Sequence, residues 1–261
     1  MRTTYRTSGV KEYWTSRWAD IPADFAMTNL AAYPLKYALQ AVSSNDGPIL
    51  EAGCGAGRIL RYFHQHGHDI TGIDFVEVAV RKLREADQAL KVEVGDISSL
   101  RFADEEFRYL LAFGLYHNLE HTLEEAVKES WRVLQVGGFI CASFRADNLQ
   151  TRLSDWLAAR KCGKSTQGEF HKLNLTRREF TTVFERAGFV IDTVSPVENM
   201  PILYKFSFFR SHSHKVFDEN KARAEGYRMS ALGQVLQKYL MRFFADQFCN
   251  IYVLIARKAC N

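Results

Sequence analysis

The chain has 261 residues, 47% hydrophobic and 25% charged, which is ample core material for one large domain or one domain with a substantial insertion. Five scattered cysteines without a CxxC pair argue against a structural zinc site and a disulfide framework, and no run approaches the roughly 18 apolar residues of a membrane span. Net charge is +4 but uneven: 15 Lys+Arg stand against 19 Asp+Glu before Arg145, and 19 against 11 from Arg145 onward.

The opening "MRTTYRTSGVKEYW" lacks the apolar run of a secretory signal, so a cytoplasmic protein is expected. Residues 1–46 read as an N-terminal helical cap with two aromatic-containing helical stretches. From residue 47 short apolar runs alternate with amphipathic segments: strand "PILEAG", helix "GRILRYFHQHG" closed by Gly67, strand "DITGIDF" and helix "VEVAVRKLREADQA". Strands "LKVEVGD" and "FRYLLAFGL" follow. Helix "TLEEAVKESWRVLQ" should end at Gly137-Gly138, ahead of strand "FICASF". Residues 145–175 are less regular. A helix then starts at an N-cap Thr176 and closes at Gly188, followed by strands "FVIDTVSPV" and "QFCNIYVLIARK". Continuous apolar runs suit parallel strands buried on both faces, so the expected fold is an α/β doubly wound, mostly parallel sheet. The core would comprise 47–198 and 247–258, with a helical insert, 199–246, that a minimal sheet does not require.

The stretch "ILEAGCGAGR" concentrates the chemistry. Gly53, Gly55 and Gly57 alternate in a form close to a dinucleotide fingerprint, but the third glycine comes one residue early. Glu51 would also repel a pyrophosphate there. A ligand with a cationic amino-acid end removes the conflict, and S-adenosylmethionine is such a ligand. Close backbone approach at the first strand–helix turn needs glycine. Asp74 at the end of the second strand could accept both ribose hydroxyls, and Asp96 after the third could take the adenine amine. Three acids at the carboxyl ends of successive strands would face one crevice.

With "GIDF", "VGDI", "LLAFGLYHNLEH", "ESWRVLQVGG" and "FTTVFERAGFVI" added, the chain resembles the class I S-adenosylmethionine-dependent methyltransferases. The resemblance implies a Rossmann-like sheet of seven strands with a reversed final hairpin. It implies S-adenosylmethionine as cofactor, S-adenosylhomocysteine as its product, and no metal. Carried over, Gly53, Cys54, Gly55 and Gly57 would line the methionine moiety and Glu51 would orient its amino end. Asp74 would take the ribose, Phe75 would pack on the adenine, Asp96 and Ile97 would frame its other edge, and Phe113 would lie under the sulfonium. "YWTSRW" is similar to a W-x-x-[KR]-W segment of small-molecule methyltransferases. Trp14 and Trp18, one helical turn apart, would close over the cofactor or simply staple the helix to the core.

Methyl transfer demands alignment and exclusion of water, with a base only where the acceptor must lose a proton. Tyr116, His117 and His121 are expected on the rim of the crevice, where a histidine could act as base or merely bond to backbone. Neither histidine sits in a metal-binding pattern. In the insert, Met229, Leu232, Leu236, Tyr239, Leu240 and Phe243 form one helical stripe, and "ILYKFSFF" places Tyr204 and Phe208 at alternate positions. These would either roof an acceptor pocket, Tyr204 and Phe208 nearest the methyl, or dock the helix on the sheet. The expected partner is a small-molecule acceptor methylated on oxygen or nitrogen. The basic second half keeps an RNA methyltransferase open as an alternative, though no appended RNA-binding module or NPPY-type motif is present, and a non-catalytic cofactor-binding regulator is a further one. The oligomeric state is not legible.

Overall fold

The computed structural model describes every residue except 7, 8, 24, 163–167, 198–200, 217–226 and 260–261, so parts of the 199–246 insert lie outside the described residues. The N-terminal third contains β1 (Arg2–Arg6), α1 (Val10–Asp20), α2 (Leu35–Ala41), β2 (Ile49–Ala52), α3 (Arg58–Gln65), β3 (Ile70–Asp74) and α4 (Glu77–Ala86). Next come β4 (Lys91–Val94), β5 (Phe107–Ala112), α5 (Leu123–Val133), β6 (Leu134–Arg145), α6 (Leu149–Cys162) and β7 (Glu169–Asn174). The chain closes with α7 (Arg177–Arg186), β8 (Phe189–Pro196), α8 (Pro201–Tyr204), α9 (Ala231–Phe248) and β9 (Ile251–Lys258).

Seven strands pair in the order β4-β3-β2-β5-β6-β9-β8, parallel from β4 to β6, with β9 antiparallel to both its neighbours. This is the expected doubly wound sheet with a reversed final hairpin. Alternation along the strands builds two cores. Leu50, Leu110, Ile140 and Phe144 point to the face covered by α5 and α7, where Phe180 and Phe184 pack. Ile49, Tyr109, Leu111 and Cys141 point to the other face, against Leu35, Leu60, Phe63 and Leu83 of α2, α3 and α4. Thr176 caps α7 as expected, through a reciprocal capping box with Glu179.

Three expectations are corrected. Helix α5 ends at Val133, and β6 already begins at Leu134 and runs through Gly137-Gly138. The glycines serve a bulge rather than a helix stop. The β5 register jumps from Phe107↔Leu134 to Tyr109↔Phe139, Gly137 adopts φ +72°, and a Cβ on Gly138 would lie 2.8 Å from the Gln135 carbonyl oxygen. The N-terminal cap starts with a strand: β1 pairs antiparallel with β7 in a separate two-stranded sheet. The irregular stretch 145–175 in fact holds α6 and β7. Among the described residues, no helix is long and apolar enough to cross a membrane.

Candidate active site

At the carboxyl ends of the parallel strands lies a cavity of about 790 Å³, within the range of small-molecule sites. Its glycine loop leaves β2 and turns back at once, the amides of Gly53 and Cys54 donating to the Ile73 carbonyl at 2.8 and 2.9 Å. Gly55 has φ +52° and lies so close under the Trp18 ring that a Cβ there would come 2.5 Å from the indole. Gly53 and Cys54 line the cavity. Gly55 and Gly57 shape the turn behind it, Gly57 as the left-handed residue that opens α3.

The three acids sit in different surroundings. Glu51 is buried on β2, its Oε2 has no hydrogen-bond partner, and it lines the cavity. Desolvation, helped by the nearby Asp74 charge, raises its pKa to about 8. Asp74 is also buried, with Oδ2 accepting from Gly55 N and Oδ1 from Val76 N, each at 2.9 Å. Burial raises its pKa, and these two amide bonds oppose the rise. Each oxygen keeps a lone pair for a ligand. Asp96 is exposed and accepts from the Ser98 amide and hydroxyl. Asp74, Phe75, Asp96, Ile97 and Phe113 all line the cavity.

Helix α1 brings Trp14 and Trp18 to the same wall, their rings stacked with centroids 5.2 Å apart. The helix has no fully buried residue, and α4 holds it by polar contacts as well as packing. Lys82 of α4 donates to the carbonyl oxygens of Trp18, Ala19 and Ile21 at its C-terminal end. Favourable charge and satisfied carbonyls meet there.

The three rim candidates part company. His117 lies in a 3₁₀ turn, buried yet lining the cavity, and its Nδ1 has no hydrogen-bond partner. Desolvation, then the charges of Lys172, Arg145 and His171, push its pKa well below the usual imidazole value. Tyr116 is corrected: its ring is in the core beside Phe180 and Phe184, and its hydroxyl meets Ser130 Oγ at 2.7 Å. The two are adjacent in the 3₁₀ turn, roughly 120° apart, so one side chain enters the core and the other the cavity wall. His121 is corrected too; its side chain is 84% exposed beside Glu120 and is not part of the cavity wall.

The insert also contributes differently from expectation. Tyr204 is fully buried with its hydroxyl 2.8 Å from His214 Nδ1, and Phe208 is 63% exposed; neither lines the cavity. Their neighbours Lys205, Tyr227 and Gln237 do. The reason is local: residues 201–209 form a short helix and a 3₁₀ turn rather than a strand, so alternate positions do not share a face. The stripe on α9 splits likewise, with Met229, Leu236 and Leu240 packed on the core and Leu232, Tyr239 and Phe243 exposed.

Sequence reasoning missed several wall residues. Tyr33 packs edge-on to Phe113, and its hydroxyl meets Ser143 Oγ at 2.7 Å, which also accepts from Gly114 N. Arg145 at the end of β6 and Lys172 on β7 line the cavity too. In the sequence Arg145 only marks where basic charge begins to accumulate. No local motif announces the others.

A methyltransferase-domain family model matches residues 50–142. The malonyl-acyl-carrier-protein O-methyltransferase of Pectobacterium atrosepticum is 30% identical over 142 residues, 53% of this chain and 51% of that protein. The S-adenosyl-L-methionine-dependent Diels-Alderase iccD of Talaromyces variabilis is 24% identical over 209 residues, 72% of this chain and 70% of that one. A solved SAM-dependent methyltransferase from Methanosarcina mazei shares the fold at TM-score 0.58 and 18% identity, over 88% of this chain and 99% of that one. The chain spans about half the length of the malonyl-carrier-protein methyltransferases it matches.

Proposed function

We propose that the chain is a class I S-adenosylmethionine-dependent methyltransferase and that it transfers a methyl group to an oxygen or nitrogen of a small-molecule acceptor. One observation carries the cofactor reading: the orphaned, buried Glu51 Oε2 beside a glycine cradle with no room for side chains. A buried carboxylate with one oxygen unpartnered is costly, and a ligand ammonium offsets that cost. A pyrophosphate there would add to it.

In this reading Glu51 orients the amino end, and the backbone at Gly53 and Cys54 admits the methionine chain. Asp74 takes the ribose hydroxyls on its remaining lone pairs. Phe75, Asp96 and Ile97 enclose the adenine. Trp14 and Trp18 cover the site, and Phe113 supports the sulfonium end. Bound S-adenosylmethionine supplies a methyl carbon already attached to a good leaving group, so the protein's part is alignment and exclusion of water. His117, neutral at physiological pH, is placed to accept a proton from a hydroxyl or amine acceptor. The insert closes the acceptor side with Lys205, Tyr227 and Gln237, which suits an enclosed small molecule better than RNA.

A second reading has its own support. The alignment with a cofactor-dependent Diels-Alderase runs through most of both chains, so a cyclisation in which the cofactor is bound but not consumed fits the same pocket. One experiment separates the two. The protein is incubated with methyl-labelled S-adenosylmethionine and fractionated cell extract, and labelled and unlabelled products are followed by chromatography and mass. A product heavier by one methylene, with S-adenosylhomocysteine formed in equal amount, supports methyl transfer. An isomerised product with the cofactor unchanged overturns it in favour of cyclisation.

A further inference from the structure

Helix α9 turns one side to the core and leaves another apolar side uncovered. Met241 is buried, Leu236 and Leu240 pack on the core, and Gln237 lines the cavity. Leu232, Val235, Tyr239 and Phe243 recur at spacings of three, four and four, so they share a face turned away from Gln237. Each is between 57% and 68% exposed. The Tyr239 and Phe243 ring centroids lie 5.0 Å apart, and Phe244 beside them is half exposed.

Further exposed aromatics adjoin the start of the helix. Ser230 caps α9, and its hydroxyl donates to the Phe208 carbonyl at 3.0 Å, which holds the exposed Phe206 and Phe208 against that end. Helix α6 packs beside α9. Asn148, just before α6, donates to the Asp246 and Cys249 carbonyls at 2.9 and 2.7 Å. Leu149, Leu153 and Trp156 of α6 are exposed at spacings of four and three, again one helical face. Single exposed apolar residues are ordinary on any protein surface, but periodic stripes of large ones are not.

The charge bordering this surface says what covers it. Lys238 and Arg242, one turn apart and exposed, run along one edge of the α9 stripe. The Arg160 guanidinium lies 3.7 Å from the centre of the Trp156 ring. Residues 201–248 hold eight Lys or Arg against four Asp or Glu, and α6 holds three against one. The single acid of each helix is already engaged: Asp246 accepts from the Tyr252 hydroxyl, and Asp155 pairs with Arg2 and Arg145. A second copy docked by the same face would therefore oppose cation to cation across a two-fold axis. An anionic lipid surface accommodates both parts. Its headgroups attract the cations, and the apolar side chains enter the acyl boundary beneath. Tyr239 and Trp156 suit that boundary, each with an apolar body and a polar edge.

We propose that α9, with Phe206, Phe208 and the exposed face of α6, docks the protein on an anionic membrane surface. The helix lies along the interface, being too short of apolar residues to cross it. Gln237 on the opposite side of α9 and Ser154 of α6 line the cavity, so docking sets the cavity wall roughly one helix diameter from the headgroups. The proposal does not depend on which reaction the cavity performs.

The test sediments the full chain with vesicles of phosphatidylcholine alone, or of phosphatidylcholine and phosphatidylglycerol in equal parts. The protein should pellet with the mixed vesicles, stay largely in solution with the neutral ones, and be released as salt is raised. Lys238→Gln combined with Arg242→Gln should lower partition onto the mixed vesicles roughly 10- to 30-fold. Val235→Ser combined with Phe243→Ser should lower it by about tenfold or more. S-adenosylhomocysteine affinity should not move in either variant, because none of the four residues lines the cavity. Absence of wild-type pelleting with the mixed vesicles, or wild-type partition in both folded variants, overturns the proposal. So does a dimer in sedimentation equilibrium that the Val235→Ser, Phe243→Ser pair dissociates, in a chain that ignores vesicles; the face is then a contact between copies. If the apolar variant does not fold, the charge variant and the two-lipid comparison on the wild type still decide.

Discussion

Lys82 donates to the carbonyl of Trp18 at 3.0 Å, and so pins from the sheet side the residue whose indole lies over Gly55. The same ammonium reaches Ala19 and Ile21 at 2.9 and 2.6 Å, so one side chain satisfies the last carbonyls of α1. Lys82→Met keeps most of the apolar stem and removes all three bonds. Loosening the helix by about 1–2 kcal/mol should weaken S-adenosylhomocysteine binding roughly 5- to 30-fold, because the lid must be reordered on binding. Calorimetry and tryptophan fluorescence would check this. Unchanged affinity together with unchanged fluorescence would show that α1 does not cover the cofactor.

Asp74 joins the two ends of the loop system, through Gly55 N and Val76 N, and faces the cavity with what remains. Asp74→Asn is nearly isosteric but loses the charge behind these bonds. S-adenosylhomocysteine affinity should fall roughly 10- to 100-fold, with a smaller loss of thermal stability. A folded variant with wild-type affinity would remove Asp74 from the ribose role.

Glu51 makes cofactor binding a proton-linked event. Its folded pKa is raised from 4.5 to about 8, so between those values the ligand-free protein holds a proton that the unfolded chain has shed. The associated stability is present below about pH 4.5 and is lost as pH rises through about 8. A ligand ammonium reverses the preference and favours the carboxylate. Binding of S-adenosylhomocysteine near pH ~6.5, where its own amino group stays protonated, should therefore release close to one proton. Calorimetry in two buffers of different ionisation enthalpy measures this directly. Glu51→Gln should release almost none, and equal release by both proteins would rule out Glu51 as the ammonium partner.

The core sheet and the side of the cavity lined by Glu51, Asp74 and Asp96 were legible because both are local in sequence. A buried parallel strand is an apolar run, and the acid or glycine at its carboxyl end follows within a few residues. Glu51, Asp74 and Asp96 each sit in or just after a strand that the pattern itself reveals. The opposite side of the cavity has no such economy. Lys172 reaches the cavity from β7, whose partner β1 lies at the other end of the chain, and Arg145 gains meaning only beside Asp155 and Asn174. Helix α6 did carry a sequence signal, Leu149, Leu153 and Trp156 at helical spacings of four and three, although all three remain substantially exposed in the structure. Alternation misled at Tyr204, where a helical turn, not a strand, carries the aromatics.

That local misreading has a measurable consequence. Tyr204 is fully buried, bonds His214 through its hydroxyl, and accepts Arg210 Nε at its carbonyl at 2.6 Å. Tyr204→Ala should cost about 3–5 kcal/mol in denaturant unfolding, as for other buried aromatics. Phe208→Ala should stay within about 0.5 kcal/mol of wild type, and neither should specifically raise the acceptor's KM. A raised KM in Phe208→Ala would mean that the insert closes further over the acceptor than it does here.

His117 combines a cavity position, an unpartnered Nδ1 and a suppressed affinity for protons. Burial comes first among the causes, followed by Lys172, Arg145 and His171, all of which disfavour the imidazolium. Because the folded pKa is depressed, the unfolded chain takes up a proton first as pH falls below about 6.5, and stability declines there. His117→Gln should flatten that part of the stability–pH curve while leaving cofactor affinity near wild type. If His117 is the base, kcat in the variant should drop by ~10²- to 10⁴-fold. The wild-type kcat/KM, which reports the free enzyme, should hold its value on the acid side until well below the ordinary imidazole pKa. A folded His117→Gln with wild-type kcat would leave alignment alone to account for the rate.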